Sequence, residues 1–268
     1  MTIINGHTSV FGILGEPVRH VRTPQALNAL FDERNYNGVL VPIEVSPGDG
    51  LAKAVASLKA SRNWGGFLVT VPHKTAVAEY CDRLSSRAKV AGAVNVVRRE
   101  ADGSLTGDHL DGVGFVGGLR LSRIDPAGCK AFLAGAGGAA SAIAFALAEA
   151  GVTQLTIVNR SIEKATQIAT RIALDFPQVV IATQGQLAGH NLVINGTSLG
   201  LSESDPLPID ATELEAGMLV AEVVMSPEIT PLLREAAARG CQIHPGVRML
   251  EGQLQAIFSF LTARDAIL

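Results

Sequence analysis

Two groups of residues in this 268-residue chain have the types and spacing that chemistry needs. The first is Pro72-His73-Lys74, which follows the apolar run Phe67 to Val71, together with Asp111 in Gly107-Asp108-His109-Leu110-Asp111-Gly112. A lysine and an aspartate at a cleft suit the movement of a hydroxyl proton while hydride leaves the carbon that bears it. The pattern predicts a helix from Pro72 through Tyr80, with Lys74 in its first turn. The positive helix end disfavours an ammonium there, and a carboxylate such as Asp111 favours it. By pattern alone the pair reads equally well as an ordinary surface salt bridge.

The second group is Gly135-Ala136-Gly137-Gly138-Ala139-Ala140. It follows the apolar run Lys130 to Ala134 and opens an Ala-rich helix, the context in which GxGxxG/A binds a dinucleotide. Gly135 would permit the tight turn, and Gly137 would let the backbone approach a pyrophosphate. Ala140 would let helix and strand pack closely, and the helix N-terminus would offer N–H groups to the anion. A Gly-rich packing turn without a ligand is the alternative. At the end of the next strand, where NAD sites carry an acid for the ribose 2′-OH, stand Asn159-Arg160-Ser161, with Lys164 one turn later. Arg160, Lys164 and the Ser161 hydroxyl suit a 2′-phosphate, so NADP is favoured and NAD is possible. The other reading has Asn159 and Ser161 capping the following helix and Arg160 solvated.

Elements to position these groups are legible in the alternation of short apolar runs with helical patterns, which is the α/β signal. Strands are expected at Val10 to Leu14, Gly38 to Ile43 and Phe67 to Val71. Thr23-Pro24 should open a helix, with Thr23 as N-cap and Leu27, Leu30 and Phe31 on one face. A second helix is expected from Leu51 to Ala60. Val94 to Arg98 and Ser104 to Gly107 read as a hairpin around Asp102-Gly103. A linking helix from Val113 to Leu121 precedes strands at Lys130 to Ala134, Gln154 to Asn159, Val179 to Ala182, Leu192 to Asn195, Leu219 to Met225 and Gln242 to His244.

Composition narrows the classes. Hydrophobic residues make up 47% and charged residues 18%, the formal charge is −3, and aromatics are 4%. A chain of this kind buries a large core and lacks the basic face or stacking platform of a nucleic-acid binder. Mean hydropathy is +0.29, yet no apolar run reaches membrane-span length. Met1 to Val10 lacks the pattern of a signal peptide, so a soluble cytoplasmic protein is expected. Cys81, Cys129 and Cys241 are far apart and read as small buried hydrophobes. No spacing suggests a metal site, and His20 and His73 read as structural.

Five blocks give the chain a resemblance to the shikimate/quinate dehydrogenase family over nearly its whole length. They are Phe11-Gly12-Ile13-Leu14-Gly15-Glu16-Pro17-Val18-Arg19-His20, Val69-Thr70-Val71-Pro72-His73-Lys74, Gly92-Ala93-Val94-Asn95, Gly107 to Gly112, and Gly246-Val247-Arg248-Met249-Leu250-Glu251-Gly252-Gln253. The phosphate loop lies between the fourth and fifth. The resemblance implies an α/β protein with an N-terminal substrate-binding catalytic domain, residues 1–110 and 246–268, to which the C-terminal helix returns. It also implies a Rossmann NAD(P)-binding domain, residues 111–245. Lys74 looks like the family's catalytic lysine and Asp111 like its partner. Thr23, Thr70, Asn95 and Gln253 look like substrate contacts. Gly135, Ala136, Gly137, Gly138 and Ala139 would hold the pyrophosphate, and Asn159, Arg160, Ser161 and Lys164 the ribose side. Asn195 and Thr197 would lie by the nicotinamide, although Asn195-Gly196 also reads as a simple turn.

The chain departs from the family's usual pattern at several polar positions. Val21-Arg22-Thr23-Pro24 stands where members read Ser-x-Ser-Pro, Leu68 where they have Asn, His109-Leu110 where they have Asn-Thr, and Met225 where they have Tyr. Each buried polar group of a substrate left without its partner costs about 1–3 kcal/mol. Arg22, Arg248 or His109 could supply a substitute anion contact. The expected activity is reversible hydride transfer at a secondary alcohol of a cyclic hydroxy acid or polyol, with shikimate itself a poor substrate. A dinucleotide-binding sensor without turnover is the alternative. No nucleic-acid or membrane partner is expected, and the protein should be a monomer or homodimer.

Overall fold

The computed structural model describes residues 3–19 and 21–262, so His20 lies outside the described residues. The chain divides into two compact units, one of residues up to Leu110 and from Leu254 onward, the other Asp111–Gln253.

The first unit runs β1 (Ser9–Gly15), α1 (Thr23–Glu33), β2 (Gly38–Glu44), α2 (Asp49–Ala60), β3 (Trp64–Val69), a short 3-10 helix (Ala76–Tyr80), β4 (Arg83–Leu84), α3 (Ser86–Ala91), β5 (Val96–Arg99) and β6 (Leu105–Asp108). Its mixed sheet has the order β2-β1-β3-β5-β6-β4. The β5–β6 hairpin is the one read from Asp102-Gly103, and its Asp102 Oδ1 accepts from Ser104 N at 2.9 Å. One face of β3 packs Phe67 and Val69 into a core with Leu51, Val55 and Leu58 of α2. On α1 the buried residues are Leu27, Leu30 and Phe31, the i, i+3, i+4 stripe expected of an amphipathic helix.

Two expectations for this unit need correction, and two elements escape the sequence pattern. Arg22, not Thr23, occupies the N-cap of α1, and no side chain caps it; Thr23 is already helical, so the Thr-Pro pair begins one position later in the helix than expected. No α-helix starts at Pro72. The Lys74 carbonyl accepts from Val94 N at 2.7 Å, while Ala78 N turns to Thr75 O at 3.4 Å. Val77 N still reaches His73 O at 2.9 Å, but with the Lys74 carbonyl committed to a neighbouring segment no second α-type bond follows, and Lys74 sits in a turn ahead of the 3-10 helix. The short elements β4 and α3 lack the apolar periodicity that would mark them in the sequence.

The second unit runs α4 (Asp111–Leu121), β7 (Lys130–Ala134), α5 (Gly138–Glu149), β8 (Gln154–Val158), α6 (Ile162–Asp175), β9 (Val180–Ala182), β10 (Leu192–Asn195), a 3-10 turn (Ala211–Glu213), β11 (Leu219–Glu222), α7 (Pro231–Ala238), β12 (Gln242–His244) and α8 (Val247–Thr262), whose residues from Leu254 belong to the first unit. Its sheet is all parallel in the order β12-β11-β10-β7-β8-β9. This is the doubly wound Rossmann topology, reversing direction between β7 and β10. Near-continuous Val, Leu, Ile and Ala runs make these strands, because both faces of such a sheet are covered. β11 ends at Glu222 rather than Met225. The Glu222 carboxylate accepts from Val223 N and Val224 N at 3.2 and 3.3 Å; Val223 N still reaches Asn195 O on β10 at 3.2 Å, whereas Val224 N turns to the side chain.

Helix α8 serves both units. In the first, Phe258 packs on Phe31 and Tyr36 with ring centroids 6.0 and 5.8 Å apart, and the Phe260 carbonyl accepts from Arg98 Nη1 at 3.2 Å. In the second, its opening turns lie backbone to backbone against α4. A Cβ on Gly252 would overlap the Gly114 carbonyl and the Gly118 nitrogen. Of the cysteines only Cys241 is buried; Cys81 and Cys129 are half-buried, and all three are free.

Two predictions follow from this packing. Gly252→Ala has only backbone to displace, so it should lower stability by at least the roughly 1–3 kcal/mol of an overpacked core, read as a fall in Tm. A wild-type Tm would show that the two helices separate easily. His244, at the end of β12, is buried edge-on against Phe115 at 6.3 Å, with Nε2 unpartnered among the described residues. Burial, aided by the Arg248 charge, pushes its pKa down from 6.5 to about 4. The fold holds the neutral ring, so this contribution is whole above pH 6.5 and is lost as pH falls from 6.5 towards 4. Denaturant titrations should show an acid loss on the order of 2 kcal/mol that His244→Leu flattens. Parallel pH profiles for the two proteins would refute it.

Candidate active site

In the first unit, Thr70, Lys74 and Asn95 are brought together at one end of the sheet. Thr70 N donates to Leu14 O at 2.8 Å and so prolongs the β1–β3 ladder past Val69. The Thr70 carbonyl accepts from His73 N at 3.0 Å. His73 is buried, and its Nε2 donates to the Val45 carbonyl at 2.7 Å, which ties the Lys74 turn to the chain leaving β2. With Val94 N on the Lys74 carbonyl, the turn is held from both sides, and the lysine side chain is half-buried.

Asn95 follows immediately. Its backbone N–H donates to Asp108 O at 3.0 Å, its carbonyl accepts from Val69 N at 2.8 Å, and Oδ1 accepts from Leu110 N at 2.8 Å. That last bond orients the amide, with Oδ1 turned to the backbone. Asp108, buried, is held by the Ser85 hydroxyl, by Arg87 through both carboxylate oxygens and by His109 N. Sequence reasoning missed this clamp because its donors lie in and beside the short α3. Thr23 opens α1, half-buried, and no hydrogen bond joins it to these residues among the described contacts.

In the second unit Asp111 is 2% exposed and stands in the first turn of α4, two residues earlier than the expected helix start. A carboxylate is favoured at that positive end. Gln253 is buried with Oε1 unpartnered among the described residues, and its side chain packs against Gly114, three residues beyond Asp111. Leu68 and Leu110 are buried, while Val21 and Met225 are half-buried. Leu68 shares its face of the extended chain with Thr70, since side chains alternate with period two. Of the substitute anion contacts, Arg248 is paired with Glu251 at 2.8 Å, and His109 is buried.

The Gly-rich loop occupies the switch point. Gly135 N donates to Val158 O at 2.8 Å, and Gly196 N donates to Ala134 O at 2.7 Å. Gly135 has φ +116°, and a Cβ on it would come within 2.9 Å of the Gly196 backbone, so only glycine fits. Ala140 is fully buried and faces Gly196, where a Cβ would come within 2.9 Å of its own. Gly137 is different: nothing lies within 4 Å of where its Cβ would be. It is the N-cap of α5, and no side chain caps that helix, so Gly138 and Ala139 begin a helix end with N–H groups available to an anion. This open cradle fits a pyrophosphate and is not what a packing turn requires.

On the ribose side, Ser161 is the N-cap of α6, but its hydroxyl donates to Glu163 Oε2 at 2.7 Å, and no side-chain cap bond forms. Asn159 Nδ2 donates to Ser161 O at 2.9 Å. The capping alternative is therefore corrected: Asn159 shapes the turn, and Ser161 turns to Glu163. Arg160 and Lys164 are exposed, and neither has an ion-pair partner among the described residues.

Asn195 ends β10 with every side-chain atom engaged. Its Oδ1 accepts from Thr197 N and Oγ1 at 3.0 and 2.7 Å, and Nδ2 donates to Leu199 O at 2.9 Å and to Glu222 at 3.0 Å. Glu222, fully buried, escaped sequence reasoning; the one signal was an acid closing the apolar run Leu219 to Ala221. Burial pushes its carboxyl pKa up, against bonds from Asn195, Thr230, Val224 and Val223 that pull it down.

Residues 13–97 match the family described as shikimate dehydrogenase substrate binding domain, and residues 120–198 match shikimate / quinate 5-dehydrogenase. A shikimate dehydrogenase (NADP(+)) of Rubrobacter xylanophilus is 40% identical over 252 residues, covering 92% of this chain and 88% of that one. Ligand-free 5-ketofructose reductase of Gluconobacter sp. strain CHM43 is similar in structure, with TM-score 0.84, 32% identity and coverage of 97% and 94%. Shikimate 5-dehydrogenase of Listeria monocytogenes, in complex with shikimate and NAD, has TM-score 0.86, 30% identity and coverage of 98% and 95%. With blocks, fold and relatives in agreement over almost its full length, the chain belongs to the shikimate/quinate dehydrogenase family of oxidoreductases.

Proposed function

We propose that the protein interconverts a secondary alcohol and a ketone on a small polyhydroxy ring or related compound, with NADP preferred to NAD. The open cradle at Gly137, set at the switch point of the doubly wound sheet, is the observation that carries this reading. Gly135, Ala136, Gly137, Gly138 and Ala139 would hold the pyrophosphate, Arg160 and Lys164 the 2′-phosphate, and Asn195 and Thr197 the nicotinamide side. The bound nicotinamide supplies the hydride acceptor or donor. Residues 1–110 and 246–268 serve as the substrate-binding catalytic domain, and residues 111–245 as the dinucleotide-binding domain. Lys74 moves the hydroxyl proton, and Asp111 orients and charge-balances it. The anchoring of the Lys74 turn by His73 and Val94 supports that role, because a proton carrier works only when held in register with the reacting oxygen.

Thr23, Thr70, Asn95 and Gln253 contact the substrate, Thr23 keeping one hydroxyl of the family's pair where Val21 has lost the other. Shikimate is not the best substrate: Val21, Leu68, Leu110 and Met225 offer nothing to a carboxylate or ring hydroxyls, and buried polar groups need partners. The relationship to a ketofructose reductase fits a substrate other than shikimate. No described helix is long and apolar enough to cross a membrane, and we place the protein in the cytoplasm as a monomer or homodimer.

Steady-state assays with NADP and NAD across a panel of cyclic hydroxy acids, polyols and ketoses test the reading. NADP should be preferred, and kcat/KM for shikimate should fall below the usual enzymatic range, which begins near 10⁴ M⁻¹s⁻¹. Lys74→Ala should lower turnover by about 10²–10⁴-fold without weakening NADP binding. Efficient turnover of shikimate overturns the substrate assignment, and undiminished turnover in folded Lys74→Ala overturns that of the lysine. NADP binding with no turnover of any substrate would favour a sensor.

Gly137→Ala gives an independent check. The new methyl meets open space, so stability should change by less than about 1 kcal/mol, while NADP affinity should drop at least about tenfold as the pyrophosphate is held off the backbone. Unchanged affinity by calorimetry would remove the loop from the cofactor site.

A further inference from the structure

Glu222 has no place in the proton transfer, yet it is fully buried at the C-terminal end of β11, beside the end of β10. All its hydrogen-bond partners are donors. Asn195 Nδ2 reaches both carboxylate oxygens at 3.0 Å, Thr230 Oγ1 donates to Oε1 at 2.8 Å, and Val223 N and Val224 N donate to Oε2. Thr230 Oγ1 itself accepts from Leu233 N at 3.3 Å, so its proton belongs to Glu222. Turned towards the carboxylate, the Asn195 amide must present Oδ1 the other way, where Thr197 N and Oγ1 meet it; Thr197 Oγ1 then accepts from Leu199 N at 3.0 Å. The turn so built lies against the phosphate loop. Thr197 Cγ2 would be 3.2 Å from a Cβ on Gly135, and the Gly196 carbonyl 2.9 Å.

We propose that Glu222 is a positioning residue for cofactor binding, its carboxylate setting the donor–acceptor direction of the Asn195–Thr197–Leu199 turn at the rim of the crevice. This rests on the assignment of Asn195 and Thr197 to the nicotinamide side. Glu222→Gln keeps the shape but places an NH₂ among donors. Satisfying it turns the Asn195 amide over and sets a second NH₂ against Thr197 N–H. A reversed pair, Asn195→Asp with Glu222→Gln, returns an acceptor to Thr197 and restores the direction, with the Leu199 carbonyl losing its donor.

Calorimetric titration of wild type and variants with NADP and with adenosine 2′,5′-bisphosphate, which has no nicotinamide, tests the proposal. Glu222→Gln should weaken NADP by about ten- to a hundredfold, the scale of one buried group facing the wrong partner, and leave the bisphosphate within about twofold. The double variant should regain part of the lost NADP affinity. Wild-type NADP affinity in Glu222→Gln overturns the proposal. So does an equal loss for both ligands, which would mark a general structural role, or a double variant no better than the single. If Glu222→Gln does not fold, Glu222→Asp keeps the charge and shortens the reach; it should show the same split more mildly, and unchanged NADP affinity there counts against the proposal. A wild-type protein that binds the bisphosphate but not NADP overturns the nicotinamide assignment and this proposal with it. Binding of neither ligand overturns the cofactor reading as a whole.

Discussion

The parallel ladder between β7 and β10 is the constraint on which the second unit depends. Because the chain crosses over in opposite directions from these two strands, their carboxyl ends diverge and leave a crevice that no side chain has to fill. The ladder also brings Ala134 and Gly135 against Gly196, backbone to backbone. That closeness forces glycine at two positions and a small residue at Ala140. It leaves Gly137 exposed, with open space where a Cβ would be, at the N-terminus of α5. The crevice thus follows from strand order, and its anion-binding character from helix polarity.

The first unit uses a different device. Its Lys74 turn is held by three backbone carbonyls that accept from outside the turn or within it: Val45 O from His73, Lys74 O from Val94, and Thr70 O from His73 N. A flexible lysine on a regular helix would have its backbone placed by helix geometry alone. Here the placement comes from two neighbouring segments, so small shifts of the strand after Val94 would reach Lys74 directly. The same segment carries Asn95, which couples the Lys74 turn to Leu110 and so to the chain that enters Asp111.

Polarity divides the protein's two tasks. On the proposed dinucleotide side the glycine loop is open and Arg160 and Lys164 are exposed. The proposed substrate side has Thr70, Lys74, Asn95 and Gln253, with apolar Val21, Leu68, Leu110 and Met225 at positions where the family is usually polar. Two or three lost partners at about 1–3 kcal/mol each change affinity by orders of magnitude, enough to redirect specificity.

Local chemistry accounts for what was legible in the sequence. Strands β7, β10 and β12 stand where alternation and length place them, the hairpin at Asp102-Gly103 forms, and the glycine loop lies between strand and helix, because each depends on neighbours in the chain. Lys74 and Asp111 stand out as proton-transfer candidates by residue type and motif. Tertiary structure decided what depends on partners distant in sequence. The Lys74 carbonyl goes to Val94 N rather than to a following helical turn, and beyond Val223 the ladder ends where Val224 N turns to the Glu222 side chain. The Asp108 clamp and the Glu222 network unite residues more than twenty positions apart. Residue periodicity records which side of an element is buried; it carries no record of which distant donor a buried carbonyl or carboxylate will meet, and that choice belongs to the packed chain.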